Sequence, residues 1–271
     1  MPFVIDVDPI AVSILGLPIR WYGLILVVAA SVAFVVGRRE ARRHGIRDDI
    51  FADAVFWVAI ASLVGGRVLY VLQNELPMVA VDPLHALMIW QGGLSFYGGL
   101  VAGLVALALF TSRRGLVFPV VADVAAPAVA IGQAIGHVGC LIGGDSYGLP
   151  TNAPWAVIYA NPGAMAPQNV PLHPTQAYEA ILLAALFVGL WLSRERLGRL
   201  GDGAVAGAYL LGLAAIRFGL FYLRDEPSVL FGLKTAQLIG LGIAALAIGL
   251  FIAARQSRGA STTFNLEVSR P

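Results

Sequence analysis

The sequence predicts an all-α integral membrane protein: seven transmembrane helices and a short irregular outer head segment, with the N-terminus outside and the C-terminus cytoplasmic. Three observations lead there. Of the 271 residues, 58% are hydrophobic and only 13% charged, against about 25% charged in an ordinary soluble domain; the mean hydropathy is +0.80. Seven apolar runs, 21–37, 50–72, 94–111, 116–142, 175–192, 203–223 and 235–254, fall near the length of about 17–25 residues that crosses a bilayer. Arginines also crowd alternate connections: Arg38, Arg39, Arg42, Arg43 and Arg47; then Arg113 and Arg114; then Arg194, Arg196 and Arg199; then Arg255 and Arg258. The opposite connections carry few cations, chiefly Arg224 and Lys234 beside Asp225 and Glu226. By the positive-inside rule the arginine-rich side is cytoplasmic.

One membrane domain, 1–271, accounts for the chain, since no linker suggests a second. A net charge of +2 without an aromatic-interleaved basic patch argues against a nucleic-acid partner. One cysteine excludes an internal disulfide framework. The four histidines form no i, i+4 pair, so metal binding is not expected. The N-terminus, Met-Pro-Phe-Val-Ile-Asp-Val-Asp, has no basic n-region and reads as mature protein rather than a signal peptide.

Taken in order, the first span opens on Trp21-Tyr22-Gly23, an interfacial aromatic signal. The second carries Arg67 late, in Gly65-Gly66-Arg67. The third is entered through Gln91-Gly92-Gly93-Leu94-Ser95-Phe96-Tyr97-Gly98-Gly99, whose paired glycines permit close helix approach or a lipid chain against the backbone. The fourth is long and holds Pro127, so a tilt or kink is expected; its Asp123 is expected to partner an arginine. It ends in Gly136-His137-Val138-Gly139-Cys140-Leu141-Ile142-Gly143-Gly144-Asp145-Ser146-Tyr147-Gly148. The following segment, 143–172, contains Pro150, Pro154, Pro162, Pro167 and Pro171 and cannot be one regular helix. With Trp155 and Tyr159 it suits a small head or a surface arm. The fifth span begins at His173-Pro174-Thr175-Gln176-Ala177-Tyr178-Glu179, and the sixth holds Arg217.

Ionisable groups at membrane depth are costly and point to function or to pairing between helices. Arg217, Arg67 and Arg224 suit phosphate, which guanidinium grips bidentately; Arg217 and Arg224 are seven residues apart, on the same helical face. Gln176 and Glu179 share a face at the mouth of the fifth span. By helical periodicity His137, Cys140 and Gly144 also share one. Cys140 is either a nucleophile activated by His137 or a packed residue, and Asp145 can orient either.

Together these constellations resemble the prolipoprotein diacylglyceryl transferase family. The matching stretches are Ile19-Arg20-Trp21-Tyr22-Gly23-Leu24, Gly65-Gly66-Arg67-Val68-Leu69-Tyr70, Gly92-Gly93-Leu94-Ser95-Phe96-Tyr97-Gly98-Gly99-Leu100, Asp123 with Ala126-Pro127, the 136–148 block, and His173 through Glu179. The resemblance implies a multi-pass enzyme of the bacterial plasma (inner) membrane that performs the first step of lipoprotein maturation. It would move the diacylglyceryl group of phosphatidylglycerol to the lipobox cysteine thiol of a prolipoprotein signal peptide, releasing glycerol phosphate, without cofactor or metal. Catalytic roles are then expected of Arg217, His137, Tyr97 and Asp145. Substrate contacts are expected of Tyr22, Arg67, Gly98, Gly99, Cys140, His173, Gln176, Glu179 and Arg224, with membrane lipids as further partners. Since the reacting thiol belongs to the substrate, Cys140 becomes a lining residue.

The polar block departs from the family's usual Gly-Arg-x-Gly-Asn-Phe-x-Asn-x-Glu: His137 replaces the arginine, Cys140 and Gly143 the asparagines, and Asp145 the glutamate. Tyr97 stands where many members have histidine, and Leu213 and Phe221 where many have Tyr and Glu. Competing readings are a membrane transferase with another lipid or acceptor, a catalytically silent lipid-binding paralogue, and a channel or transporter. No inverted repeat favours the last.

Overall fold

The computed structural model describes residues 2–14, 17–88, 93–224 and 228–268; Gln91, Gly92, Asp225 and Glu226 lie outside them, as do the side chains of Arg255 and Arg258. The helices are α1 Trp21–Arg43, α2 Asp48–Tyr70, α3 Leu76–Val81, α4 Phe96–Arg113, α5 Phe118–Gly143, α6 Thr175–Gly198, α7 Ala204–Leu220 and α8 Thr235–Val268. The strands are β1 Phe3–Ile5, β2 Ile10–Ile14, β3 Leu17–Arg20, β4 Val157–Tyr159, β5 Ser228–Leu230 and β6 Leu233–Lys234. Among the described residues, 7 helical stretches are long and apolar enough to cross a membrane, at the positions expected. The chain forms two compact units, Arg38–Val121 and Met1–Gly37 with Ala122–Pro271.

In the first unit, helix extends beyond both expected ends of the opening basic connection. Arg38 and Arg42 complete α1 and pair with Asp48 in the first turn of α2, Arg38 at 2.6 Å; Arg47 meets Asp49 at 2.7 Å. Cations at a helix C-terminus and acids at an N-terminus both complement the backbone dipoles. The second span also passes its expected end at 72, continuing through a π-helical turn, Val71–Glu75, into α3. Against α2 lies α4, at glycine-limited distance. A Cβ on Gly98 would fall 2.3 Å from the Gly65 carbonyl oxygen, and one on Gly65 2.3 Å from the Ala102 Cβ. The paired glycines therefore serve helix contact.

The second unit joins α5, α6 and α7 around a core of small and branched residues, among them Ala126, Ala130, Leu183, Leu190, Val205 and Leu213. The helix α5 runs unbroken through Pro127. Asp123 caps α7. Its carboxylate oxygens accept from the backbone N–H of Gly203 and of Ala206, each at 2.8 Å. The N-cap of α7 is Gly203, which has no side chain to offer, so the orphaned donors of the first turn are satisfied from a neighbouring helix.

The head is less irregular than its prolines suggest. Its strand β4 pairs in parallel with β1, Phe3 opposite Val157 and Ile5 opposite Tyr159, and Val157, Tyr159, Ala166 and Leu172 form a small core of their own. The N-terminal residues are thus part of the head, a long-range pairing that proline spacing does not announce. The helix α7 stops at Leu220, and after a 3-10 turn, Phe221–Leu223, Arg224 is extended at φ −93°, ψ 148°. The expected shared helical face of Arg217 and Arg224 is therefore absent. The reason is a tertiary bond: the Leu149 N–H donates to the Leu223 carbonyl at 2.7 Å, and Gly148 bridges Arg224.

Candidate active site

The C-terminal end of α5, the N-terminal end of α6 and the C-terminal end of α7 converge on Glu179. This carboxylate is 1% exposed. Its Oε2 accepts from Arg224 Nη2 at 2.5 Å. Its Oε1 faces His137 Nε2 at 3.5 Å and Arg217 Nε at 3.7 Å, too far for hydrogen bonds, and has no partner at bonding distance. Two fixed cations thus share one buried carboxylate, with Asp145 the next nearest anion to the cluster. Arg224 also lies over the Phe221 ring, 4.6 Å from its centroid, while Lys234 Nζ holds the Arg224 carbonyl. The extended backbone that takes Arg224 off the helix brings it back to the carboxylate that Arg217 faces.

A second network fixes the loop bearing Asp145. The chain leaves α5 at Gly144 with φ +76°, and a Cβ there would lie 3.1 Å from the Ala166 nitrogen; glycine satisfies both the left-handed turn and the close approach of the head. Gly144 is therefore past the helix end, not on the face expected to align it with His137 and Cys140. Gln176, fully buried, donates through Nε2 to the Asp145 carbonyl at 2.5 Å, and Thr175 Oγ1 donates to the Ser146 carbonyl at 2.7 Å. From the head, the Tyr159 hydroxyl donates to the Leu141 carbonyl at 2.8 Å, filling an acceptor in the last turn of α5. Burial, with Asp145 nearby, pushes the Tyr159 phenol well above its usual range, so it stays a neutral donor.

The expected residues separate accordingly. His137, Glu179, Arg217 and Arg224 form the charged cluster. Cys140 is half-buried and lies within electrostatic reach of Asp145 and Glu179. Tyr22 packs across Gly139, where a Cβ would stand 3.1 Å from its ring. Gln176 anchors the Asp145 loop through its amide, leaving Oε1 unpartnered. His173 belongs to a flanking aromatic group, Nδ1 being 3.3 Å from the Tyr178 hydroxyl, which accepts from Trp155 Nε1 at 2.7 Å.

In the Arg38–Val121 unit, Arg67 donates to the carbonyls of His85 at 2.7 Å, Ala86 at 2.9 Å and Gly93 at 3.1 Å, and pairs with Glu75 at 2.9 Å. Its guanidinium fastens the segment before α4. Tyr97 is an exposed residue of α4 in edge contact with Phe96, and Gly98 and Gly99 meet Gly65 and Ser62 of α2.

Sequence reasoning singled out Tyr159 only as a surface aromatic and passed over Thr175, Tyr209 and Gln133. The Tyr209 hydroxyl donates to Gln133 Oε1 at 2.9 Å. Tyr209 lies eight residues before Arg217 on one helix, a spacing that would have marked it.

The sequence profile described as prolipoprotein diacylglyceryl transferase matches residues 9–253. Similar proteins include the phosphatidylglycerol–prolipoprotein diacylglyceryl transferase of Methylococcus capsulatus, 36% identical over 267 residues covering 94% of this chain and 98% of that one. Proteins of the same description from Solidesulfovibrio magneticus, 36% identical over 92% and 95% of the two chains, and Chromohalobacter salexigens, 35% identical over 93% and 94%, match as fully. With matches running nearly end to end and seven apolar helices in the expected places, the chain belongs to the prolipoprotein diacylglyceryl transferase family.

Proposed function

We propose that the cluster of Glu179, Arg217, Arg224 and His137 is where this membrane transferase moves the diacylglyceryl group of phosphatidylglycerol onto the lipobox cysteine of a prolipoprotein. In this step the cysteine sulfur attacks a glyceryl carbon, a thioether forms, and the carbon–oxygen bond to phosphate breaks, leaving glycerol phosphate. Negative charge gathers on the departing phosphate oxygen. The observation that carries the reading is the charge arrangement: two guanidinium groups face one buried carboxylate, at low dielectric where positioned cations act strongly on developing charge. Arg217, less enclosed than Arg224 and farther from Glu179, takes the phosphate. Arg224, gripped at 2.5 Å, orients Glu179 and adds field. Asp145, Cys140 and Tyr22 line the approach to this cluster.

The same cluster stands at the outer face of the bacterial plasma membrane. Supporting this, Arg194, Arg196 and Arg199 mark the opposite, C-terminal end of α6 from Glu179, and the head adjoins the cluster through Tyr159 and Gln176. Lipid and exported substrate meet on that side. The test incubates purified protein with phosphatidylglycerol vesicles and a lipobox peptide. A thioether-linked diacylglyceryl peptide, reduced at least a hundredfold in Arg217→Ala, is the expected result. Product formation undiminished by that substitution overturns the assignment of Arg217, and a folded wild type that makes no product favours a different acceptor or a silent lipid-binding role.

A further inference from the structure

The position held by arginine in the family's usual pattern is His137, and an arginine cannot accept a proton under working conditions whereas an imidazole can. The surroundings of this ring are specific. Its Nε2 points at Glu179 Oε1, 3.5 Å away, while Nδ1 is buried and has no hydrogen-bond partner. Nε2 is the nitrogen nearer the carboxylate, though beyond hydrogen-bond distance, and with the ring hydrogen on Nε2 the lone pair of Nδ1 is unused. A carboxylate on the side of one imidazole nitrogen, with the other nitrogen buried and unpartnered, is an arrangement that suits a positioned general base. Glu179 is less suited to be that base, since Arg224 holds its Oε2 at 2.5 Å and its Oε1 faces the Arg217 cation as well as His137.

We infer that His137 is the catalytic general base in this chain, with Glu179 its positioning residue. The inference rests on the transferase reading above. The substrate cysteine gives its proton to His137 Nδ1 as its sulfur electron pair forms the bond to the glyceryl carbon. The carbon–oxygen bond to phosphate breaks with its electron pair passing to oxygen. The imidazolium then returns the proton to that phosphate oxygen, so the ring ends the cycle neutral and no co-reactant is consumed. The charged and titratable groups facing the ring are Glu179 from α6, Arg217 from α7, Arg224 beyond it and Asp145 after α5. In the free site Glu179 and Asp145 favour a charged imidazole while Arg217 and Arg224 oppose it; phosphate bound at the arginines would add a further anion.

The test follows kcat/KM against pH for the full chain in phosphatidylglycerol vesicles with a lipobox peptide, together with the KM for lipid, in wild type and in His137→Gln and His137→Asn. A free thiol ionises near about pH 8.5. The wild-type rate should rise with pH well below that value. Both variants should lose about 10²–10⁴-fold in kcat at neutral pH, keep their KM for phosphatidylglycerol within about threefold, and recover above about pH 9, where the peptide thiol ionises unaided. A wild-type rate that falls from pH 6 to 8, or variants that raise KM while sparing kcat, would make His137 a phosphate-gripping cation and overturn the inference. Wild-type protein that forms no thioether at any pH removes the transferase reading and the base with it. An active wild type whose profile the substitutions leave unchanged removes the base alone.

Discussion

Replacing Glu179 with Gln tests whether the cluster is held together by charge. The substitution keeps the side chain's shape and removes one negative charge from a site where it is 1% exposed. Arg224, itself 8% exposed, then keeps a buried positive charge without its counter-ion. Removing one partner of a buried pair costs about 3–5 kcal/mol, and two unit charges about 4 Å apart at an effective dielectric near 20 interact by about 4 kcal/mol. The two figures agree. Arg217 adds less, being 3.7 Å away with its side chain 25% exposed, where solvent screens the pair. The assay is equilibrium unfolding in mixed micelles of E179Q, R224Q and the double variant. E179Q alone should lose about 3–5 kcal/mol. In the R224Q background the same change should cost about 2–3 kcal/mol less, the coupling expected of residues in direct contact. Costs that add within about 0.5 kcal/mol would refute the claim that Glu179 and Arg224 act as a pair.

Asp123→Ala should destabilise by about 2 kcal/mol through the lost cap on two donors of α7, with Asp123→Asn, which keeps one acceptor, losing about half; thermal unfolding in detergent measures both. Gly98→Ala places a methyl 2.3 Å from a backbone carbonyl of α2 whereas Gly99→Ala places one 3.0 Å from another. The first should cost about 3 kcal/mol or more and the second about 1 kcal/mol, read from thermal midpoints. Arg67→Lys forfeits a three-carbonyl clamp and should cost about 2–4 kcal/mol. Hydrogen exchange should show lost protection at residues 84–88 while the KM for phosphatidylglycerol stays unchanged; a raised KM with intact protection would make Arg67 a headgroup ligand.

The spans were legible because bilayer thickness imposes a length and apolarity that no packing detail overrides. The cluster was half legible. Arg217, His137 and Glu179 stand out as charged or titratable residues in apolar surroundings, and that signal survives ignorance of the fold. Their convergence on one carboxylate does not follow from spacing. Arg224 reaches Glu179 only because the Leu149–Leu223 bond draws the chain off α7, a contact between residues 74 positions apart in sequence. The capping role of Asp123 was not legible for a related reason: a buried carboxylate suggests a cation, but a helix that begins at Gly203 without a capping side chain also offers N–H groups that need acceptors. The β1–β4 pairing was invisible because three-residue strands carry no usable periodicity.

The departures from the family pattern form a compensated set once the cluster is known. Arginine to His137 removes a fixed cation, and glutamate to Phe221 removes an anion, so the two exchanges together leave the fixed charge unchanged. Phe221 is buried and lies under the Arg224 guanidinium at 4.6 Å, giving a cation–π contact worth up to about 2 kcal/mol when desolvated. Arg224 thus has the Phe221 ring as well as Glu179 against its guanidinium. Introducing either charge of the family pattern alone breaks the balance: His137→Arg puts a third guanidinium beside Glu179, and Phe221→Glu puts a second carboxylate beside Arg224. Each should lower the unfolding midpoint, whereas the double variant should recover at least about 1 kcal/mol of the summed loss, since both act through the Glu179–Arg224 pair. Strictly additive losses would mean that the two substitutions are independent, and that the histidine at 137 was not accommodated by the change at 221.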